Sequence, residues 1–431
     1  MRVVGLLLAG LLASTTAQSP DARVALPKAS EADLDNGLHV VVLEDRRRPV
    51  IAFQLLIPGA GGYQDADDEL GLAAATAALL RQGTPTRSPI QVAAQLEEMS
   101  AQLTIEADAA SPDAVISGTC PADQATKLLD LATDLLLHPA FAEEDVTLYQ
   151  EQLQKRLADP RDAQLFVARE IFARATFGGR PVARAARHVM SRSGVTRERI
   201  MEFHRTRYAP DHAVLAIAGD VSPFAAKFFV GQKLGGWKRA DTEPPAAIDA
   251  PSAERTRVLV IEQPDASEVT LLLGSQGVTR TSDDYPAAQL LTELLTGIVV
   301  PAFPGVWLTA MTEQNDGIEP AVQDLLALLT RLRMLQVSDT DLAQAKQVLI
   351  DSFAQSLQSP DHLAAFAAAR TRYGLSDDYW ESYPARIDAV TAEQVQTAAQ
   401  KYLAPERLQV VLVGDSGKMA GPLEQLGPVE P

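Results

Sequence analysis

The sequence predicts an α+β fold built as two homologous halves, and three observations carry that expectation. Val195-Thr196, Ala209-Pro210 and Gly219-Asp220 recur as Val390-Thr391, Ala404-Pro405 and Gly414-Asp415, each pair offset by 195 residues. A constant offset through a helix, a turn and a strand marks an internal duplication. Short β-type apolar runs alternate with longer stretches of helical periodicity, as expected for an antiparallel sheet with helices packed on one face in each half. The 431 residues, 46% apolar, exceed one ordinary core and suffice for two.

Taken in order, Met1 to Gln18 has one Arg, the apolar run Val3 to Ala13 and small polar residues ending Thr15-Thr16-Ala17. These are the parts of a secretory signal peptide (residues 1–17), so the chain is expected to be exported, periplasmic or secreted. The run is too short to span a bilayer, and no later segment predicts a transmembrane span. Residues 18–33 read as an unstructured lead-in, and the N-terminal half occupies 34–240. Leu34 to Leu43 reads as a turn feeding a strand, and Pro49 to Pro58 as a second strand antiparallel to it. Gly71 to Thr84 (GLAAATAALLRQGT) follows an acidic loop and reads as a short buried helix, since Thr76 is its one polar residue before Arg81. Gly83 closes it in a left-handed turn and Pro85 prevents its continuation.

Ser88 to Ser100 predicts a helix, Gln102–Ala107 with Ala114–Cys120 a hairpin, and Asp123 to Leu137 an amphipathic helix. Further helices follow at Glu143–Ala158, stopped by Asp159-Pro160, at Ala163–Ala175, and at Thr196–Arg207, the last leading into the strand Ala213–Ala218. Pro244 to Pro251 is Pro- and Ala-rich and marks a linker (241–253), before a C-terminal half (254–420) and a tail (421–431). Leu43-Glu44 corresponds to Ile261-Glu262 at an offset of 218, so the second half is 23 residues shorter, since the offset falls from 218 to 195. The loss is expected between the helix Pro286–Leu295 and Ala321, where the first half has its hairpin.

Thirty-eight basic and 56 acidic residues give a formal charge of −18, which argues against nucleic acid or an anionic membrane as partner. Cys120 is the only cysteine, so no intrachain disulfide forms, and its setting after a β-type run predicts a small buried apolar residue. Gly59-Ala-Gly-Gly62 lacks the Lys of a phosphate loop, and Gly274-Ser275-Gln276-Gly277 is not a nucleophile elbow; both read as turns. Trp307, Trp380 and Tyr383 are assigned to cores or to contacts between halves.

Asn36-Gly37-Leu38, the two strands after it, Gly71-Leu72-Ala73 and Gly83-Thr84 together resemble the insulinase, pitrilysin and mitochondrial processing peptidase family, and the resemblance runs from about residue 34 to 415. It implies two halves forming a clamshell around a chamber. It also implies H-x-x-E-H on the helix between GLA and GT, where two His four apart bind zinc and the Glu serves as general base. In this chain those positions are Ala74, Ala77 and Ala78. Alanine neither ligates a metal nor takes a proton, so no catalytic residue and no cofactor is expected here, zinc belonging to the catalytic relatives. The third ligand of those relatives is a Glu about eight residues ahead of the Asp-Pro stop, which here gives Gln152, with Glu151 beside it. In second halves the family carries L-R-x-x-x-G-L-x-Y, whose Arg and Tyr hold substrate; Thr296 to Trp307 contains neither.

The six histidines (His39, His138, His188, His204, His212, His362) form no zinc motif, and surface or helix-end placements are expected for them. Arg46-Arg47-Arg48 is the most concentrated positive charge, read as a solvated hairpin loop or a docking point for an acidic partner. The resulting expectation is a non-catalytic exported subunit that pairs with a catalytic H-x-x-E-H relative, with peptide substrate in a shared chamber. The alternatives are a free-standing peptide-binding or scaffold pseudo-peptidase and, against the alanines, a zinc endopeptidase active alone.

Overall fold

The computed structural model describes residues 26–62, 65, 71–107, 111–158, 168, 171–172, 175–176, 195–240, 255–263, 266–295, 299–302, 306–415 and 429–430. The signal peptide, the linker 241–253, most of the acidic loop 65–70, most of the helix expected at 163–175, His188 and most of the tail lie outside the described residues.

The first half opens with β1 (Ala29–Asp33), β2 (His39–Glu44) and β3 (Val50–Pro58), followed by α1 (Leu72–Leu80) and α2 (Pro89–Glu98). The hairpin β4 (Gln102–Glu106) and β5 (Asp113–Pro121) leads to α3 (Ala125–Leu137), α4 (Glu143–Ala158), α5 (Arg197–Arg207), β6 (Val214–Gly219) and α6 (Pro223–Leu234). The second half repeats the pattern with β7 (Arg257–Glu262), β8 (Glu268–Gln276), α7 (Tyr285–Leu294), β9 (Val299–Ala302) and β10 (Val306–Gln314). It continues through α8 (Ile318–Met334), α9 (Asp339–Ser356), α10 (Pro360–Arg372), α11 (Tyr383–Asp388), α12 (Ala392–Tyr402), β11 (Gln409–Gly414) and β12 (Val429–Glu430).

The strands form two six-stranded sheets, ordered β1-β2-β6-β3-β5-β4 and β12-β7-β11-β8-β10-β9. The sheets share a parallel pair at the corresponding place, β2 with β6 and β7 with β11, and the second has another where β12 joins β7; the remaining pairs are antiparallel. The fold class is therefore α+β in two like halves, and β6 to β11 keeps the 195-residue offset while β2 to β7 keeps 218. Helix starts follow local chemistry. Ser88 and Thr391 close capping boxes with Gln91 and Gln394, and Thr196 accepts from the Arg199 amide.

Three expectations are corrected. Residues 29–33 are not part of an unstructured lead-in but an edge strand, paired with β2 along its whole length. Ala-Ser-Glu-Ala-Asp has little β-propensity, so its order comes from partners: the Lys227 ammonium donates to Ser30 Oγ at 2.9 Å and to the Glu31 carbonyl at 2.7 Å. Within the tail, Val429–Glu430 adds parallel to β7. The shortening of the second half does not remove the hairpin, since β9 and β10 pair over Val299–Ala302 and Val306–Thr309. What lacks a counterpart there is α2, because only residues 295–298 separate α7 from β9. Pro301 disguised this strand, and β9 tolerates it as the outermost strand of its sheet.

Both faces of each sheet are covered, and the halves cover each other. Val40, Val42, Ile51, Phe53, Leu215 and Ile217 point to the first half's own helices. The opposite face, with Val41, Leu43, Leu56, Val214, Ala216 and Ala218, packs against Leu363, Ala364, Ala367 and Ala368 of α10, a helix of the second half. Alanines on both sides let the helix axis approach the sheet closely. The exchange is reciprocal. Ala168 and Phe172, helical residues 195 positions before Leu363 and Ala367, pack on Leu272, Val411 and Val413 of the second sheet.

Polar contacts fix the same interface. Arg372 at the end of α10 donates from Nε and Nη2 to the two carboxylate oxygens of Asp113, each at 2.9 Å, and Asp113 is buried. Arg370 of α10 also pairs with Glu31 of β1. Arg372→Leu alone is expected to cost roughly 3–5 kcal/mol in urea denaturation, because Asp113 is left charged and buried without its partner. Replacing Asp113 by Leu as well is expected to restore most of that loss.

Candidate functional site

Helix α1 is the place where the sequence looked for chemistry. Gly71 caps it in a left-handed conformation (φ 94°), and the buried Asp65 carboxylate accepts from the amides of Gly71 at 2.9 Å and Ala73 at 3.2 Å. The amides at the helix start are thus answered from within the chain. Thr76 is buried and donates to the Leu72 carbonyl at 2.7 Å, so its hydroxyl is spent on the helix itself. Gly83 takes φ 110° two residues past the C-cap, and a side chain there would meet the Arg87 carbonyl.

Leu72, Ala73, Ala75, Ala77, Leu79 and Leu80 are buried. Ala74 and Ala78, one helical turn apart, are half-buried. The expectation of a helix closed on every side is corrected at this stripe, where Ala74 and Ala78 keep part of their surface exposed. Helix α1 packs against α5, β4 and α4. On α4, Glu151 and Gln152 are both exposed, as is Leu148, one turn before Gln152. Zinc fails to fit this donor set. The helix offers methyl groups, the neighbouring helix offers one amide and one carboxylate, and no cluster of three or more His, Cys, Asp or Glu suited to a metal occurs among the described residues.

Three of the described histidines, His39, His138 and His204, have partners within the fold. His39 Nδ1 lies 2.7 Å from Asp33 Oδ1, and His138 Nδ1 lies 3.1 Å from Asp134 Oδ1. His204 is drawn further inward than a helix-end residue need be: it stacks on Tyr208 at 5.1 Å, meets the Phe141 ring edge-on, and its Nε2 donates to the Leu136 carbonyl at 2.7 Å. The buried Tyr208 hydroxyl has no hydrogen-bond partner among the described residues, and burial, then the charge of Asp65, raise its pKa. Cys120 is buried and burial pushes its thiol up to about 11, which suits packing rather than nucleophilic work.

The three arginines separate in the structure. Arg46 pairs with Glu44 at 2.5 Å, while Arg47 binds Asp45 through Nε and Nη2 and donates from Nη2 to the Leu357 carbonyl of the second half at 2.9 Å. Arg47 thereby docks the chain's own other half, and Arg48 is left exposed. Trp380 and Tyr383 are buried in the second-half core, stacked around Phe353. The sequence did not single out a cavity of about 640 Å³ in the second half, lined in part by Arg280, Tyr379 and Arg386. These residues are scattered over more than a hundred positions, and no spacing rule groups them.

With this arrangement in view, comparison with known proteins places the chain. The profile "Insulinase (Peptidase family M16)" matches residues 40–188 and "Peptidase M16 inactive domain" matches 194–349. The chain belongs to the M16, or insulinase, peptidase family. It is 27% identical over 222 residues to an uncharacterized zinc protease of Mycobacterium bovis, covering 46% of this chain and 49% of that one. A similar protein of Mycobacterium leprae is 26% identical over 245 residues, 56% of this chain and 54% of its own. The chain thus spans about half the length of the curated relatives it matches. Among solved structures, a peptidase M16 inactive domain from Pseudomonas fluorescens superposes with TM-score 0.76 at 20% identity, over 90% of this chain and 98% of that one. A protease from Helicobacter pylori gives 0.78 at 16% identity, over 90% and 100%. At such identities the likeness establishes the fold.

Burial holds the pKa of His204 below its ordinary value, against the opposing pull of its hydrogen bond to Leu136. The folded chain therefore keeps His204 neutral at pH values where the unfolded chain protonates it, near pH 6.5. The associated stability is full above that pH and is lost as pH falls towards the folded value. His204→Gln is expected to flatten the fall in urea midpoint between about pH 7 and pH 5 relative to the native chain.

Proposed function

We propose that the chain is a non-catalytic, exported subunit that pairs with a zinc-bearing H-x-x-E-H relative to bind or process peptides. The observation that carries this reading is Ala74, Ala77 and Ala78 on a helix that keeps its caps, its neighbours and its half-buried stripe. A peptidase fold without ligands or general base still supplies walls and surfaces to a peptide chamber completed by another chain. The leader-like residues 1–17 support export, and no described helix is long and apolar enough to cross a membrane. The exposed Arg48 beside two paired arginines offers a basic point of contact for an acidic partner on an otherwise acidic chain.

The stretch 296–307 favours a second reading. A subunit that contributed Arg and Tyr to substrate would have lost both here, which suits a free-standing peptide-binding scaffold. The two readings separate on mixing. The purified mature chain is expected to leave a fluorogenic peptide library uncut, and to raise the turnover of a co-encoded H-x-x-E-H relative several-fold above that relative's own rate. Silence together with no association in sedimentation would instead support the scaffold, and cleavage by the chain alone would refute both.

A further inference from the structure

The cavity in the second half has the character of a recognition site. Its described lining comes from the loop before α7 (Arg280 to Asp284), the start of α7, the turn after α10 (Gly374 to Ser376) and the facing sides of α11 and α12. At about 640 Å³ it falls in the range of sites that hold small ligands or a few peptide residues. It lies at the N-terminal end of α7, whereas the region that would hold the family's Arg and Tyr follows its C-terminal end. It is also remote in sequence from α1.

Two arginines, Arg280 and Arg386, are among its lining residues, and the guanidinium of each is braced by rings. Arg280 lies 5.3 Å over Trp380 and 5.9 Å over Tyr285, and Arg386 lies 4.0 Å over Tyr379. Arg386 Nη2 donates to the Tyr379 carbonyl at 2.8 Å, and the Tyr379 hydroxyl donates to the Arg280 carbonyl at 3.2 Å, so one tyrosine ties the two arginine segments together. Stacking occupies the faces of a guanidinium and leaves its in-plane N–H groups to find acceptors. Neither arginine has a carboxylate partner among the described residues, although Arg370 and Arg372 nearby are both paired. Moreover Arg386 Nε is buried and has no acceptor among the described residues. An arginine without a carboxylate partner keeps its charge uncompensated by the protein, and an anion in the cavity would supply the missing partner.

The acidic residues of the lining do not cancel this. Asp284 is held by Lys401 Nζ at 2.6 Å and the Tyr402 hydroxyl at 2.7 Å, bonds that depress its pKa. Asp283 and Glu393 are exposed to water, where their charge is screened. Ser282, Ser376 and Gln394 add neutral hydrogen-bonding groups to the same wall.

We propose that this cavity binds a carboxylate-bearing ligand, a short peptide held by its C-terminal carboxylate, with Arg280 and Arg386 as the anchors. A planar carboxylate matches a guanidinium fork, and Tyr379 and Leu375 offer apolar surface to a residue behind it. The inference is independent of whether a catalytic partner exists, since every residue it uses belongs to the second half of this chain.

Titration calorimetry of the mature chain with tetra-alanine, with its C-terminal amide and with inorganic phosphate tests it. The free acid is expected to bind at least tenfold more tightly than the amide and than phosphate. Arg280→Gln and Arg386→Gln are each expected to weaken it tenfold or more with the melting curve of the first unchanged. Arg386 also holds the Tyr379 carbonyl, so Arg280→Gln keeps the test valid if the other variant is unstable. Equal binding of acid and amide, tighter binding of phosphate, no binding at all, or full binding by Arg280→Gln would each overturn the proposal.

Discussion

Covering both faces of a sheet is the constraint on which this structure rests. Each half builds a six-stranded sheet whose central strands are buried on both sides, yet its own helices cover only one side. Helix α10 closes the open face of the first sheet, and Ala168 and Phe172 lie on the open face of the second. Neither half is complete without the other. Val41, Val214 and Leu56 would otherwise meet water, at roughly 1.5–3 kcal/mol for each such side chain. The small residues Ala216 and Ala218 under Ala364, Ala367 and Ala368 show the same demand read from its steric side, because bulk at either surface would hold the halves apart. Arg372 and Asp113 then set the register of the interface by a bidentate pair that tolerates little displacement.

Much of this was legible in the sequence because it is written in local chemistry or in a repeat. The 195-residue offset reported two halves, and the pairing of β11 with β7 and β8 mirrors that of β6 with β2 and β3. Ser88 and Gly83 are punctuation with a backbone reason, and the elements they bound fell where such reasons place them. What was not legible depends on distant partners. Ala29–Asp33 becomes a strand through β2 and Lys227, and Pro301 sits in a strand because that strand is outermost. The shared cover of the sheets left no local mark, since a helix such as α10 is equally apolar whichever half it packs on.

The same division applies to function. That Ala74, Ala77 and Ala78 offer no donor side chain can be read directly, because a methyl group has no lone pair in any surroundings, and the structure adds that Ala74 and Ala78 form a half-buried stripe. The cavity between α7, α11 and α12 could not be read, because its arginines come from separate segments and acquire meaning through the rings beneath them. The shape of the molecule is held by the exchange of helices between halves, independently of any side chain on the exposed side of α1.

The central claim is that α1 has kept the position of a metal-binding helix and lost the donors. It is tested most directly by measuring bound zinc, by equilibrium dialysis and metal analysis, in the mature chain and in a variant carrying Ala74→His, Ala77→Glu, Ala78→His and Gln152→Glu. The account predicts no stoichiometric zinc in the native chain and about one zinc per chain in the variant. One zinc per native chain, or none in a variant that remains folded, would contradict it.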